Sequence, residues 1–208
     1  ATSPEMELQR IYILNKLIEN EPIIVLTHTM AIKRLAPLKS LFKKKTINLK
    51  IDDEIKINDL INKLIEIGYK NVFKVTQAGE FSYRGGVVDV FPLNYNNPVR
   101  FEFFDTIIDS IRFFDTTSQR TINTTNEAKI IPATEFLFTN LDEGIDNLKN
   151  YAKDLINSSK NNLKLEGIIN EDIEQISNYN FNEAIFKYYS FFNCYSTLND
   201  YLDNKQVI

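Results

Sequence analysis

Residues 99–104, Val-Arg-Phe-Glu-Phe-Phe, alternate between apolar and polar side chains with the two-residue period of a β-strand. Because successive side chains of a strand point to opposite faces, the odd positions from Val99 onward share one face, which is predicted to be the core. Arg100, Glu102 and Phe104 share the other face. A large exposed aromatic beside an arginine is typical of a protein interface, since such an aromatic lowers solubility unless something covers it.

This strand lies within residues 79–120, a stretch whose alternation predicts three strands and two turns. The pair Gly85-Gly86 falls inside a strand pattern, where glycine indicates a bulge or a close approach of two backbones more often than a phosphate-binding loop. Arg84 stands directly before this pair. If Arg84 and Arg100 face the same side of the sheet, the two arginines and Phe104 form one compact patch.

Two interpretations of this patch stay open. Arg84 and Arg100 are ordinary surface arginines if acidic residues of neighbouring strands, such as Glu102 or Glu80, pair with them, and exposed pairs of that kind contribute little stability. They are candidate partner-binding residues if they form an interface together with Phe104. The pattern by itself supports the two interpretations about equally.

Arginine is scarce in this chain, which has 18 lysines and 24 asparagines but only 6 arginines. A genome that favours lysine and asparagine codons accounts for the excess. Four of the 6 arginines lie between residues 84 and 120, namely Arg84, Arg100, Arg112 and Arg120. Because lysine cannot copy the planar five-donor fork of a guanidinium, an arginine that persists in such a background indicates a geometric role.

Length and composition place the chain among soluble globular proteins, with 208 residues, 43% of them hydrophobic and 25% charged. The net charge of −4 excludes a general basic field for nucleic acid, so any cationic site must be local. No apolar run approaches the roughly 20 residues of a membrane span. A single cysteine, Cys194, fits a cytoplasmic location. The start at Ala1, without an initiator Met, indicates a piece of a longer protein.

The sequence predicts no catalytic, cofactor or metal site. It contains neither a phosphate loop nor a dinucleotide-binding glycine motif. His28 is the only histidine, so a two-histidine zinc site is impossible and a structural role is the better interpretation. Cys194 is expected to be a small core residue among aromatics. The acidic pair Asp52-Asp53 suits solvation and the dipole of a following helix.

Patterns on both sides of this stretch predict the remaining elements. A helix should follow Ser3-Pro4-Glu5, which has the residue order of a helix start, and Ile23 to Leu26 has the composition of a short buried strand. A helix from Ile57 should end at Gly68. The other predicted elements are a short helix at 30–35, strands at 46–51 and 72–75, and helical segments at 141–158, 163–169, 173–176 and 181–192.

Several segments resemble one protein family. They are similar to the UvrB-like module near the N-terminus of the bacterial transcription-repair coupling factors, the Mfd family. The segments are Phe81 to Pro92, Pro98 to Phe104, Ile108 to Arg112, Phe114-Asp115, Ser118-Gln119-Arg120 and Ile131 to Glu135. The similarity covers residues 1 to about 138. UvrB, the excinuclease subunit that handles damage, shares this module, but Gly85-Gly86 and Ser118-Gln119-Arg120 are closer to the coupling factors.

The resemblance implies that the module binds UvrA and so recruits nucleotide-excision repair to a stalled RNA polymerase. The family's interface residues correspond to Arg84, Arg100 and Phe104, which the strand alternation had already singled out. In the intact family protein a C-terminal domain masks this surface, which gives autoinhibition. Family proteins are also helicase-like, ATP-dependent translocases on double-stranded DNA. Their motor domains, with ATP and Mg, lie outside these residues, so the resemblance implies a docking piece without enzymatic activity or cofactor.

One departure and two alternatives accompany this interpretation. After Phe104 this chain has Asp105-Thr106-Ile107, where the family usually has Gly or Asp followed by Asp-Glu, and the loss of these two acidic residues changes the charge at the edge of the patch. A fragment of UvrB itself, acting in damage verification, is the first alternative. A DNA-binding module that uses Arg84, Arg100, Arg112 and Lys43 to Lys45 is the second, and it would bind with a strong salt dependence.

The predicted fold class is α/β. We expect a discontinuous α/β domain, part of a P-loop-like domain, that is interrupted by a small α+β module with an antiparallel sheet. The first part of the flanking domain would occupy residues 1–45 and the UvrA-binding module residues 46–134. Residues 135–208 would form a helical return to the flanking domain.

Overall fold

The computed structural model describes residues 4–158, 162–192 and 195–202, and helices and strands mix along this chain. Ser3 and Cys194 lie outside the described residues. The helices are α1 (Pro4–Ile18), α2 (Thr29–Lys33), α3 (Lys39–Lys45), α4 (Ile57–Glu66), α5 (Leu141–Ser158) and α6 (Asn162–Ser177), with 3-10 helices at Glu183–Phe191 and Leu198–Tyr201. The strands are β1 (Ala36–Pro37), β2 (Ile47–Lys50), β3 (Lys70–Asn71), β4 (Glu80–Arg84), β5 (Val87–Val90), β6 (Val99–Phe104), β7 (Ile107–Phe114), β8 (Thr121–Thr125), β9 (Glu127–Ile130) and β10 (Tyr195–Ser196).

The largest sheet has six strands in the order β3-β4-β5-β6-β7-β8. Its β3–β4 pair is parallel, and the other pairs are antiparallel. Helix α4 covers one face, because its apolar side chains repeat at helical spacing and leave Leu60, Ile61 and Leu64 buried. They pack on the inner sheet residues Phe81, Val88, Val90, Val99, Phe101 and Ile111. The predicted helix on a sheet is confirmed, with Gly68 beyond the helix end at φ +91°, but the sheet is mixed instead of purely antiparallel because β3 and β4 are parallel.

A second small sheet, β2 with β9, closes this module next to the same core. Apolar residues alternate with polar ones in both strands, and the register places them opposite each other on the inner face. These inward-facing residues are Ile47, Leu49, Ala128 and Ile130. The hydroxyl of Tyr69 donates a hydrogen bond of 2.9 Å to the carbonyl of Ile131, which fixes the chain where it leaves the module.

Three expectations from the sequence are wrong in detail. Residues 79–120 contain four strands instead of three, because Gly85 takes φ +58° and turns the chain into a hairpin between β4 and β5. Residues 72–75 are not a strand, and only Val75 of that segment enters the core. Ile23 to Leu26 is extended but unpaired within the described part of the chain. Ile24 and Leu26 are 92% and 93% exposed, whereas Ile23 and Val25 are half-buried against the core of α1 and α3, so only one side of the segment is covered.

The remaining described residues form two further clusters of buried side chains. One joins α1 and α3 to residues that come much later in the sequence, including Ile131, Leu137 and Tyr201. The other holds α5, α6 and the 3-10 helix Glu183–Phe191 around Phe136. In both clusters, apolar residues that are far apart in the sequence are in contact. The pairing of β1 with β10 also joins residues that are far apart in the sequence.

The expected flanking α/β layer is therefore only partly present. The described residues on either side of the module are mainly helical, and their one strand pair, β1 with β10, has two residues on each side. The chain is mixed α and β, with antiparallel and mixed sheets. Membership of a larger P-loop-like domain, and the domain boundaries at 45 and 134, stay predictions.

A buried carboxylate, that of Glu135, connects these parts. Glu135 is 1% exposed and contacts the guanidinium groups of Arg10 and Arg34, the latter at 3.2 Å. Arg10 also donates to the carbonyls of Ala31 and Arg34. Burial, followed by the charge of Glu135, raises the pKa of the neighbouring Glu7. Two arginines, one fully buried carboxylate and one partly buried one thus form a compact charged cluster.

The loop between β3 and β4, residues 72–79, is fixed by a second carboxylate. Glu80 accepts hydrogen bonds from the backbone N–H groups of Thr76 and Gln77, at 2.8 and 3.1 Å, and from both side chains. Its partial burial by itself would raise the pKa of Glu80, but these hydrogen bonds outweigh burial and hold the pKa below the ordinary value of 4.5. The ionised carboxylate is therefore the form that orders the loop.

We expect Glu135→Gln to lower the free energy of unfolding by roughly 3–5 kcal/mol, because two mostly buried guanidinium groups lose their counter-charge. Urea unfolding measures this loss. The control is Glu127→Gln, which removes an exposed pair with Lys50 whose side chains are 68% and 64% exposed, and it should cost less than about 1 kcal/mol. Equal losses in the two variants would contradict the role given to Glu135.

The Glu80 hydrogen bonds predict a local pH dependence. Because the folded pKa is depressed, the stabilisation is complete above the unfolded pKa and is lost as pH falls through the folded pKa, below 4.5. The amide signals of Thr76 and Gln77 in an NMR titration should therefore shift with a midpoint below 4.5, and Glu80→Gln should abolish that transition. A midpoint above the ordinary glutamate value would count against this assignment.

Candidate functional site

The register of the large sheet brings the predicted residues to one face. Arg84 lies opposite Val87, and Val87 lies opposite Glu102. Arg100 lies opposite both Asp89 and Arg112. Directly opposed residues of a sheet share a face, so the arginines of β4, β6 and β7 all lie on the face opposite α4. We call this side of the sheet the open face.

Phe104 is on the open face as well. It stands two residues after Glu102 on β6, past a register shift between Glu102 and Phe103, and it lies opposite Ile107. The side chain of Phe104 is 76% exposed and that of Ile107 is 44% exposed. The strand alternation had predicted the orientation of Phe104. Ile107 adds an apolar neighbour at the turn between β6 and β7.

The glycine pair explains why Arg84 and Phe104 lie at the same end of the sheet. A Cβ at Gly86 would stand 2.9 Å from the carbonyl oxygen of Phe103, so only glycine allows this approach of the two hairpin ends. Phe103 donates its backbone N–H to Gly86 at 2.8 Å. Arg84 and Glu102 are two strands apart, which is about 10 Å. The predicted close approach of two backbones at the glycine pair is therefore confirmed.

Arg100 is held by its own sheet. It donates two hydrogen bonds to the carboxylate of Asp89, at 2.6 and 2.7 Å, and a third to Gln119 at 3.0 Å. Its guanidinium also lies over the ring of Phe114, 4.4 Å from the centroid. The hydrogen bonds to Asp89 raise the pKa of Arg100 above its ordinary value. The side chain is 20% exposed, so Arg100 presents little more than one edge of its guanidinium.

Arg112 is also paired within the sheet. It contacts the carboxylate of Glu102, which also accepts a hydrogen bond of 2.8 Å from the hydroxyl of Ser110. The surface-pair interpretation of Arg84 and Arg100 is therefore correct in kind for Arg100, which has a carboxylate partner on the neighbouring strand. The acidic partner of Arg100 is Asp89, whereas Glu102 serves Arg112.

Arg84 differs from both. It is exposed and has no carboxylate partner within the described residues. Its guanidinium instead lies over the ring of Phe73, 5.2 Å from the centroid. Phe73 is itself 88% exposed. The open face thus ends in one unpaired guanidinium with exposed apolar side chains at Phe73, Phe104 and Ile107, an arrangement that fits a carboxylate bordered by apolar surface.

Sequence reasoning missed Phe73. The pattern at residues 72–75 predicts a strand, and a strand at that position does not predict a contact between Phe73 and Arg84. A large aromatic between Val72 and Lys74 was the only available signal, and it indicates a core as readily as a surface.

The other singled-out residues form no site. His28 is exposed and precedes the short helix α2, and Asp53 accepts a turn hydrogen bond of 2.7 Å from the backbone of Lys50. In the part of the chain that the structure describes, no group of three histidine, cysteine or acidic side chains could hold a metal. Nor is any helix of that part long and apolar enough to span a membrane.

The DNA-binding alternative has weak support from the geometry. Three of its cations, Arg100, Arg112 and Lys45, already pair with carboxylates of the same chain. A phosphate backbone would have to compete with these contacts.

The sequence of this module is similar to that of known proteins. Residues 47–136 match the family model of the UvrB interaction domain. The chain is 34% identical over 195 residues to a transcription-repair-coupling factor of Bacillus subtilis, a match that covers 91% of this chain and 17% of the relative. It is 32% identical over 173 residues to the factor of Staphylococcus epidermidis, covering 83% of this chain and 14% of the relative.

The chain thus spans less than a fifth of the length of these relatives. Both relatives are transcription-repair-coupling factors, which agrees with the resemblance that the sequence motifs indicated. The family expectation is therefore confirmed: this chain contains a UvrB interaction domain and matches the UvrB-like N-terminal region of the transcription-repair coupling factors.

Proposed function

We propose that this chain is a docking piece of a transcription-repair coupling factor and that it binds UvrA through the open face of its large sheet. One observation carries the proposal. Arg84, Arg100 and Phe104, the residues that correspond to the family's interface, share that face, and Phe104 is 76% exposed without being part of any core. Phe104 lies beside the exposed Ile107, and exposed apolar side chains grouped near arginines favour a protein-binding surface.

The three residues would contribute differently. Arg84 would donate to a carboxylate of UvrA, since its N–H groups are not taken by an acidic residue of the described chain. Phe104 and Ile107 would fill an apolar contact. Arg100 would act mainly by holding Asp89, Gln119 and Phe114 in place, and would present one edge of its guanidinium to the partner.

Recruitment of excision repair to a stalled RNA polymerase would follow from this docking. The polymerase, double-stranded DNA, the ATP-driven motor and the masking C-terminal domain belong to the much longer protein and are proposals for it. We expect no catalytic activity of this piece by itself. The similarity to two transcription-repair-coupling factors favours a coupling factor over the UvrB alternative.

Arg84→Ala should weaken binding to the cognate UvrA at least about tenfold, equivalent to roughly 1.4 kcal/mol, because a carboxylate of the partner loses its counter-charge. Stability should stay within about 0.5 kcal/mol, since the side chain is exposed. Isothermal calorimetry measures the affinity. Arg120→Ala is the matched control, an exposed arginine directly before β8, and it should bind like wild type. Equal losses of UvrA affinity in the two variants would contradict the assignment of the binding site to the open face.

Arg100→Ala should act differently from Arg84→Ala. It leaves Asp89, 13% exposed, without its partner, so the free energy of unfolding should fall by roughly 2–3 kcal/mol while UvrA binding also weakens. Arg100→Lys should restore little, because lysine cannot make the two parallel hydrogen bonds to Asp89. Urea unfolding together with calorimetry separates the two effects. Unchanged stability would show that the intramolecular pair is not formed in solution.

A further inference from the structure

Phe73 is exposed although its loop is well fixed. Val72 donates a backbone hydrogen bond of 2.9 Å to Phe81, and Val75 is 1% exposed in the core. The carboxylate of Glu80 binds the following two residues of the loop. Phe73 lies between these anchors and is 88% exposed. The loop thus presents the ring to solvent although neighbouring residues are buried or hydrogen-bonded.

The ring has one contact of consequence, the guanidinium of Arg84 at 5.2 Å. An arginine that stacks on an aromatic face keeps the N–H donors at its edge free, because they lie in the plane of the guanidinium. Arg100 and Arg112 are oriented by carboxylates, which consume their donors. Stacking on Phe73 orients Arg84 without consuming its donors.

We propose that Phe73 is a positioning residue of the docking surface, which holds the guanidinium of Arg84 so that its free edge meets a carboxylate on the partner. This inference rests on the proposed function. The partner chemistry that fits is a carboxylate bordered by apolar groups, because Arg84 lies at the same end of the open face as Phe104 and Ile107. Preorganisation would raise affinity by reducing the side-chain entropy that arginine loses on binding.

The test is a set of substitutions at Phe73 in the full 208-residue chain, with UvrA affinity measured by calorimetry. Phe73→Ala and Phe73→Leu should both weaken binding about two- to fivefold, the size expected of an exposed cation–π contact, whereas Phe73→Trp should retain it. Tyr83→Ala is the control, since Tyr83 is 49% exposed, adjacent to Arg84, and on the other face of β4. A leucine variant that binds like wild type would overturn the proposal.

A double-mutant cycle separates positioning from direct contact. If Phe73 acts through Arg84, adding Phe73→Ala to Arg84→Ala should cause no further loss of affinity. Independent, additive losses would instead make Phe73 a direct contact and overturn its positioning role.

A measurement on the free chain keeps this inference distinct from the proposed function. The Nε–H proton of Arg84 should resonate upfield in wild type because of the ring of Phe73, and should return to an ordinary position in Phe73→Ala. An unchanged resonance would overturn the stacking itself. Absence of UvrA binding by the wild-type chain with the upfield resonance intact would sink the proposed function, and with it the docking role of Phe73, while the stacking would stand.

Discussion

The buried carboxylate of Glu135 is the interaction on which the arrangement of the whole chain depends. It lies where the polypeptide leaves the UvrB interaction domain, and it binds Arg10 of the first helix and Arg34 of the following segment. Arg34 also lies over the ring of Phe186, 4.9 Å from its centroid. Charges that are almost entirely removed from water are tolerated only when they are paired, so these groups must come together for the chain to fold. The cluster joins the beginning of the chain, the exit from the module and the C-terminal helices.

The arginines show how one residue type serves two purposes. Arg10 and Arg34 balance a buried charge, and Arg100 and Arg112 fix cross-strand carboxylates. Each of these roles uses the planar, multi-donor geometry of the guanidinium. Arg84 is oriented by an aromatic ring, and so its donors stay free for a partner. A rigid sheet, covered on one face by α4, carries this side chain, so the position of the donors is set by the register of β4, β5 and β6.

Much of the module was predictable from sequence because its signals are local. The alternation of residues 99–104 gave the face of Arg100 and Phe104, and Gly68 marked the end of α4. What the sequence could not give were contacts between distant residues. The pairing of Arg100 with Asp89 depends on the register of β5 against β6, and the stacking of Phe73 on Arg84 depends on a loop that resembled a strand. Ile23 to Leu26 has the composition of a strand buried on both faces, yet only Ile23 and Val25 pack on the core, because composition does not report whether a partner covers the other face.

Hydrogen–deuterium exchange of the chain with and without UvrA tests the central claim, that the open face is the docking surface. The account predicts slower exchange at the amides of the two turns on that face, Gly85-Gly86 and Asp105-Thr106, with little change in α5 and α6. Protection confined to the C-terminal helices, or to the segment Ile23 to Leu26, would contradict it.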